Sequence, residues 1–452
     1  MTEITRKIRQ TPRISIKTGA LTFRGGTRAG QTHQVDWDSH SVINGHIVMI
    51  GGSGSGKTHQ LRRYITELAR GGARVHLIDP HGDLTIDPRL VDSLTFSDST
   101  EFGLNPLEVE SDPIFGGVRR QANSFVNLLL RQTTLGDKQK GALFRLLIEL
   151  YRRYGFEVEN PKTWGLDYDP RTWIASNVAK RHPTLQDLTK IVWAKCLALK
   201  LGATGSAVRK FEEVVKLQKT LHGLRLKKAR LEDVESKLEK AKAAYMEAMG
   251  AALTTMETGA ELEELVAWDS FDVIKGIYDR MVNLEQSGIF KGKPPRFNAE
   301  KRVWRYDIAP LSRAESQFFV DCLLTKIFRH AKTRGEADGP DTVIVIDEAS
   351  IFVDKDDDHI INILIREGRK FGVMIILAAQ EVSVFPPAIL SSAATKLILG
   401  VDDLYHKATE DRLGFERGKL KYLKPKKTAF VQCKRSVEDS LGQGFYEVEI
   451  MG

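Results

Sequence analysis

The stretch His46-Ile-Val-Met-Ile-Gly-Gly-Ser-Gly-Ser-Gly-Lys-Thr58 decides how this chain folds. Its first part is an apolar run of strand length that ends directly in a glycine-rich loop. Beyond the loop, Leu61, Tyr64, Ile65 and Leu68 recur at the spacing of one helix face. Strand, loop and helix in that order, with Gly51-x-x-x-x-Gly56-Lys57-Thr58 between them, complete the phosphate-loop pattern in its confirming context. Glycines are needed because backbone N–H groups must turn inward around a phosphate where side chains would collide, and the following helix offers the anion its positive end. We therefore expect Gly51, Gly52, Ser53, Gly54, Ser55, Gly56, Lys57, Thr58 and His59 to bind ATP. Lys57 is expected to neutralise the β- and γ-phosphates and the Thr58 hydroxyl to ligate Mg²⁺.

Working outward, a second buried-strand signal, Arg74-Val-His-Leu-Ile78, follows the helix and ends at Asp79-Pro-His-Gly-Asp83. Strand, helix, strand predicts a parallel βαβ unit. Further apolar runs at 342–346, 373–378 and 396–399, and a final segment at 445–450, extend the expected sheet, their Val/Ile content being that of strands covered on both faces. The run Ile344-Val-Ile-Asp-Glu348 delivers two acids at a strand end. Asp347 is expected to hold the Mg²⁺ shell and Glu348 to act as general base on the attacking water. The strand from Val373 ends at Gln380, a neutral group able to contact the γ-phosphate or that water. Arg366 and Arg369 are candidate arginine fingers, which when supplied in trans require an oligomer. His81 is balanced between nucleotide contact, a neighbouring subunit and a structural turn. No dedicated metal site is expected at Asp79, His81 and Asp83.

The chain of 452 residues is 42% hydrophobic and 28% charged, which excludes disorder throughout and low-complexity scaffolds. Its 67 Lys and Arg exceed its 59 Asp and Glu, a net charge of +8 that favours an anionic partner. Three cysteines without ligand spacing support neither a disulfide framework nor a zinc site. Without a signal-like start or an apolar run of spanning length, the expected location is cytoplasmic, with no stable membrane insertion.

Four segments are expected: a small β-hairpin element at 1–45, the first part of the core at 46–111, a helical region at 112–335 and the second part of the core at 336–452. Within the helical region, Leu217, Leu221, Leu224, Leu231 and Leu238 fall on a 3–4 spacing in a highly charged setting. This pattern suggests a short coiled-coil-like arm over 206–248, or a solvated helix folded back on the body.

Taken together, 46–58, Leu77-Ile-Asp-Pro-His-Gly-Asp83, Gly103-Leu-Asn-Pro-Leu107, Val345-Ile-Asp-Glu348, Arg366-Glu-Gly-Arg-Lys-Phe-Gly372 and Ala379-Gln380 resemble the HerA/FtsK superfamily, most of all HerA-type translocases and more distantly the ATPases of conjugation and type IV secretion. The resemblance implies an α/β fold with a RecA-like P-loop NTPase core, a homo-oligomer, namely a hexamer, and ATP-driven translocation or helicase action on double-stranded DNA alongside a nuclease or other effector. Lys57, Thr58, Asp347, Glu348 and Gln380 match the family's nucleotide site. The segment before the phosphate loop is too short for the usual N-terminal barrel, so the barrel is expected to be reduced or absent. The alternatives are a conjugation or secretion ATPase and a nucleotide-gated scaffold assembling an anti-phage effector.

Overall fold

The computed structural model describes residues 8–21, 34–173, 179–201, 213–220, 222, 232–255, 270–435 and 444–450. The chain divides into two compact units, one formed by 1–104 with 293–452 and the other by 105–292.

The first unit is built on a sheet of eleven strands among the described residues: β1 (Ser15–Leu21), β2 (Gln34–Asp38), β3 (Ile47–Ile50), β4 (Arg74–Asp79), β5 (Val91–Thr95), β6 (Val303–Asp307), β7 (Thr342–Ile346), β8 (Val373–Ala379), β9 (Thr395–Ile398), β10 (Thr428–Cys433) and β11 (Tyr446–Ile450). Their order is β2-β1-β11-β10-β9-β3-β8-β7-β4-β6-β5. From β9 to β5 all neighbours are parallel, and from β10 to β2 all are antiparallel. Every residue of β3, β7 and β8 is buried, as continuous apolar runs require of strands covered on both faces.

Parallel pairing has a functional consequence. The register sets Ile50 beside Ala379, Ile346 beside Leu377 and Ile78 beside Ile346, so the carboxyl ends of β3, β8, β7 and β4 open on one edge. Helix α1 (Lys57–Arg70) leaves that edge from the end of β3 and buries Leu61, Tyr64, Ile65, Leu68 and Ala69 against the sheet. Ile47, Met49, Val75, Val345 and Ile376 supply the facing layer of this core. At roughly 1.5–3 kcal/mol per fully buried large aliphatic or aromatic side chain, that face is what fixes the helix to the sheet.

The second unit is helical, with α2 (Val118–Gln132), α3 (Asp137–Arg153), α4 (Leu185–Leu201), α5 (Glu232–Thr255) and α6 (Phe271–Gln286). Trp193 of α4 and Tyr278 of α6 join by ring contact at 4.9 Å. Of the leucines expected in an arm, Leu217 and Leu238 pack into a small cluster with Val214, Ala241 and Tyr245. Leu221, Leu224 and Leu231 lie outside the described residues.

Two expectations about organisation differ from the structure. The helical unit ends at Gly292, well before residue 335, because β6 and α7 (Arg313–Thr333) belong to the sheet unit. The N-terminal hairpin is no reduced barrel. β1 pairs with β11 as well as with β2, so both strands are the outer end of the main sheet.

Candidate functional site

At the end of β3 the chain turns through Gly54 and Gly56, with φ of 74° and 98°, values that side chains strain to adopt. A Cβ on Gly51 would stand 2.4 Å from Ser55 Oγ, so the cradle has no room for one. Gly56 caps α1 without any side-chain hydrogen bond, and the first turn of α1 carries no acid. Its leading N–H groups are therefore not satisfied by a cap and suit an anion.

Around this loop lies a cleft of about 460 Å³ lined by Gly52, Ser53, Gly54, Gly56, Lys57, Thr58 and His59 together with Arg62, His81, Asp83, Asp347, Glu348, Gln380 and Lys426. Gly51 and Ser55 are buried behind the loop, and Ser55 Oγ is a buried hydroxyl without a hydrogen-bond partner. The residues fit a magnesium nucleotide: a glycine loop at an uncapped helix start, a lysine, a threonine hydroxyl and a carboxylate pair.

The acids arrive from β7. Asp347 is buried, and burial raises its pKa, opposed by Lys57 and by the Glu348 N–H that its Oδ1 accepts at 3.0 Å. For Glu348, burial would raise the pKa, but the Ser350 hydroxyl, the Lys57 charge, the Gln380 amide and His81 together outweigh it and hold the carboxyl below its usual value. Ser350 Oγ donates to its Oε1 at 2.5 Å and Gln380 Nε2 to its Oε2 at 3.3 Å, while Lys57 Nζ stands 3.7 Å from Oε2. Glu348 is thus an oriented carboxylate, ionised at neutral pH and able to take a proton from water. Its backbone sits in the left-handed region, φ 55°, a conformation costing on the order of 1–3 kcal/mol in a non-glycine residue and characteristic of functional sites.

The other candidates separate clearly. His81 and Asp83 reach the cleft, but Asp79 does not. The Asp79 side chain is completely buried and accepts from the backbone N–H groups of His81, Gly82 and Leu84 and from Arg305 Nε and Nη2, the last at 2.6 Å. It builds the turn that presents His81. Arg366 and Arg369 are exposed and line no part of the cleft of their own chain. Arg366 Nη2 instead donates to the Asp357 carbonyl at 2.8 Å.

A family model described as the type IV secretion-system coupling protein DNA-binding domain matches residues 39–113, a span that holds the loop, α1 and β4. No curated protein sequence matches the chain. Among solved structures, VirB4 of Thermoanaerobacter pseudethanolicus superposes with a TM-score of 0.57 at 16% identity, over 97% of this chain and 96% of VirB4. The fold is that of P-loop ATPases. Plasmid coupling protein TrwB, in complex with the non-hydrolysable ATP analogue ADPNP, gives 0.50 at 13% identity over 90% of this chain and 85% of TrwB.

Two cations of this cleft escaped the sequence reading. Arg62 is four residues beyond Thr58 on α1, so helical spacing alone could have placed it at the cleft. Lys426 comes from a basic stretch before β10 with no periodic signal that points to the loop.

Proposed function

We propose that this chain is an ATP-driven motor of the type IV secretion kind that acts on DNA. The observation that carries the reading is the coupling-protein DNA-binding match across the phosphate loop. The fold shared with VirB4 along nearly the whole chain supports it. These likenesses favour the conjugation and secretion alternative over HerA-type translocation of double-stranded DNA with a nuclease or defence effector. The net charge of +8 is consistent with a phosphate-backbone partner gripped without sequence readout.

In this reading the loop N–H groups and Lys57 bind the phosphates, and Thr58 and Asp347 are the partners of Mg²⁺. Bound Mg²⁺ would supply charge neutralisation at the phosphate oxygens. Glu348 accepts the proton of the attacking water, and Gln380 holds Glu348 in orientation while remaining close enough to sense the γ-phosphate. Arg366 and Arg369 lie outside their own cleft, so either one reaches a phosphate only in a neighbouring copy, as a homo-oligomer and in particular a hexameric ring provides. Among the described residues no helix is long and apolar enough to cross a membrane.

The test is steady-state ATP hydrolysis by the full chain with and without single- and double-stranded DNA, with particle mass measured on the same sample. DNA-stimulated hydrolysis in a ring-sized particle is expected. A ring whose hydrolysis ignores both DNAs would overturn the DNA motor and favour a protein-driving ATPase or a scaffold. Stimulation confined to duplex DNA would restore the HerA-type reading.

A further inference from the structure

Among the described residues, the non-glycine positions with positive φ are Glu348 and Lys426, and both line the same cleft. Glu348 is explained by its chemistry. Lys426, with φ 64°, has no such explanation in the phosphate-loop pattern. A lysine held left-handed gains nothing locally, since it lacks the short polar side chain that stabilises Asn or Asp there. Strain of this kind persists where the surroundings over-determine it.

The surroundings here are a strap, residues 419–428. Leu420 and Leu423 are buried and anchor it. Its tip is a tight turn in which the N–H groups of Lys427 and Thr428 donate to the Lys424 carbonyl, and the Lys424 N–H donates to Thr428 Oγ1 at 2.8 Å. The tip is clamped to the phosphate loop, for the Lys426 N–H donates to the Ser55 carbonyl at 3.1 Å. Lys426 Cα and Cγ lie 3.5 Å from where a Cβ on Gly56 would stand, so this lysine occupies the space that the glycine leaves. Among the described residues no carboxylate pairs with its ammonium. The strap thus sets a lysine without a carboxylate partner among the described residues at the lip of the phosphate cradle.

We propose that Lys426 is a second phosphate-binding lysine of the nucleotide site, supplied in cis by this strap. The proposal rests on the nucleotide-site reading and deepens it. Lys57 turns toward Glu348, on the side of the hydrolytic acids, whereas Lys426 enters from Gly56. Lys426 therefore serves phosphates that ADP and ATP have in common and contributes to binding rather than to turnover.

The experiment is calorimetric titration of the full chain with Mg²⁺–ADP and with a non-hydrolysable Mg²⁺–ATP analogue, alongside thermal melting without nucleotide. Lys426→Asn and Lys426→Gly remove the charge and tolerate positive φ, so the strap keeps its shape. Each is expected to weaken both nucleotides about tenfold, the loss of one charge-assisted contact at a partly exposed site. Lys426→Arg is expected to stay within about threefold of the parent, well short of that tenfold step. Lys427→Asn, the same charge change at a residue of the same turn outside the cleft, is expected to bind as the parent does. Parent-like affinity in both neutral Lys426 variants, or an equal loss in Lys427→Asn, would overturn the proposal while leaving the nucleotide site intact. A parent chain that binds neither nucleotide would overturn the nucleotide-site reading, and this proposal with it.

Discussion

β4 and β7 are neighbours and run in the same direction, β4 ending in Asp79 and β7 running directly into Asp347, yet the two aspartates are bonded in opposite ways. Asp79 receives three backbone N–H groups and two bonds from Arg305, which saturates its oxygens. Asp347 is nearly as buried, but the N–H it receives is that of Glu348, and burial leaves it with a raised pKa. A saturated carboxylate shapes a turn. An under-satisfied one at the same edge suits the proposed Mg²⁺, which brings its own positive charge. The difference lies in donor count rather than in residue type or burial.

Exchanging the same atoms in each residue should separate the two. Asp79→Asn leaves the Arg305 guanidinium without its anion, and breaking a pair this buried costs about 3–5 kcal/mol. A melting temperature lowered by roughly five to nine degrees, with turnover per folded molecule retained, is expected for that variant. Asp347→Asn should do the reverse. Nucleotide affinity in the presence of Mg²⁺ is expected to fall about tenfold or more, with no loss of melting temperature, as calorimetry and thermal melting on one preparation would show. A destabilised Asp347→Asn protein with normal Mg²⁺–nucleotide binding would break the comparison.

Acid sharpens it further. Because the folded pKa of Asp347 lies above its ordinary 3.8, the ionised group opposes folding at neutral pH, and that penalty is relieved as pH falls through the folded value. If Asp347 holds Mg²⁺ as proposed, protons compete with the metal for its oxygens, so Mg²⁺-dependent affinity is expected to decline at a pH above 3.8 on acidification. The Asp79 charge is among the causes that raise the Asp347 pKa, so Asp79→Asn should move the midpoint of that decline to lower pH. Titrations of Mg²⁺–nucleotide affinity against pH for parent and variant would check it.

What was legible in the sequence follows the same physics. β3, β4, β7 and β8 were readable because burial on both faces writes a continuous apolar run, and the loop, Asp347 and Glu348 were readable because they sit where those runs stop. β5 (Val-Asp-Ser-Leu-Thr) and β6 (Val-Trp-Arg-Tyr-Asp) were not read, since their part-exposed faces carry polar residues and no apolar run results. β10 also escaped, although it is nearly all buried: Thr-Ala-Phe-Val-Gln-Cys is short and follows a lysine-rich turn. Asp79 and Arg305 are 226 positions apart, and Lys426 lies far from Gly56, so neither partnership leaves a local pattern. The split between HerA-type and secretion-type motors was not legible for another reason: the core residues that carry the resemblance are shared by both.

In the proposed reaction this cleft hydrolyses ATP with Glu348 as base. The most direct measurement is Mg²⁺–ATP turnover by the parent chain and by Glu348→Gln, each first shown by calorimetry to bind the nucleotide. Near-equal affinity is expected, with turnover lowered by about 10²–10⁴-fold, the usual contribution of a general base. Turnover within a few fold of the parent in Glu348→Gln, or a parent chain that binds ATP and does not hydrolyse it, would contradict the account.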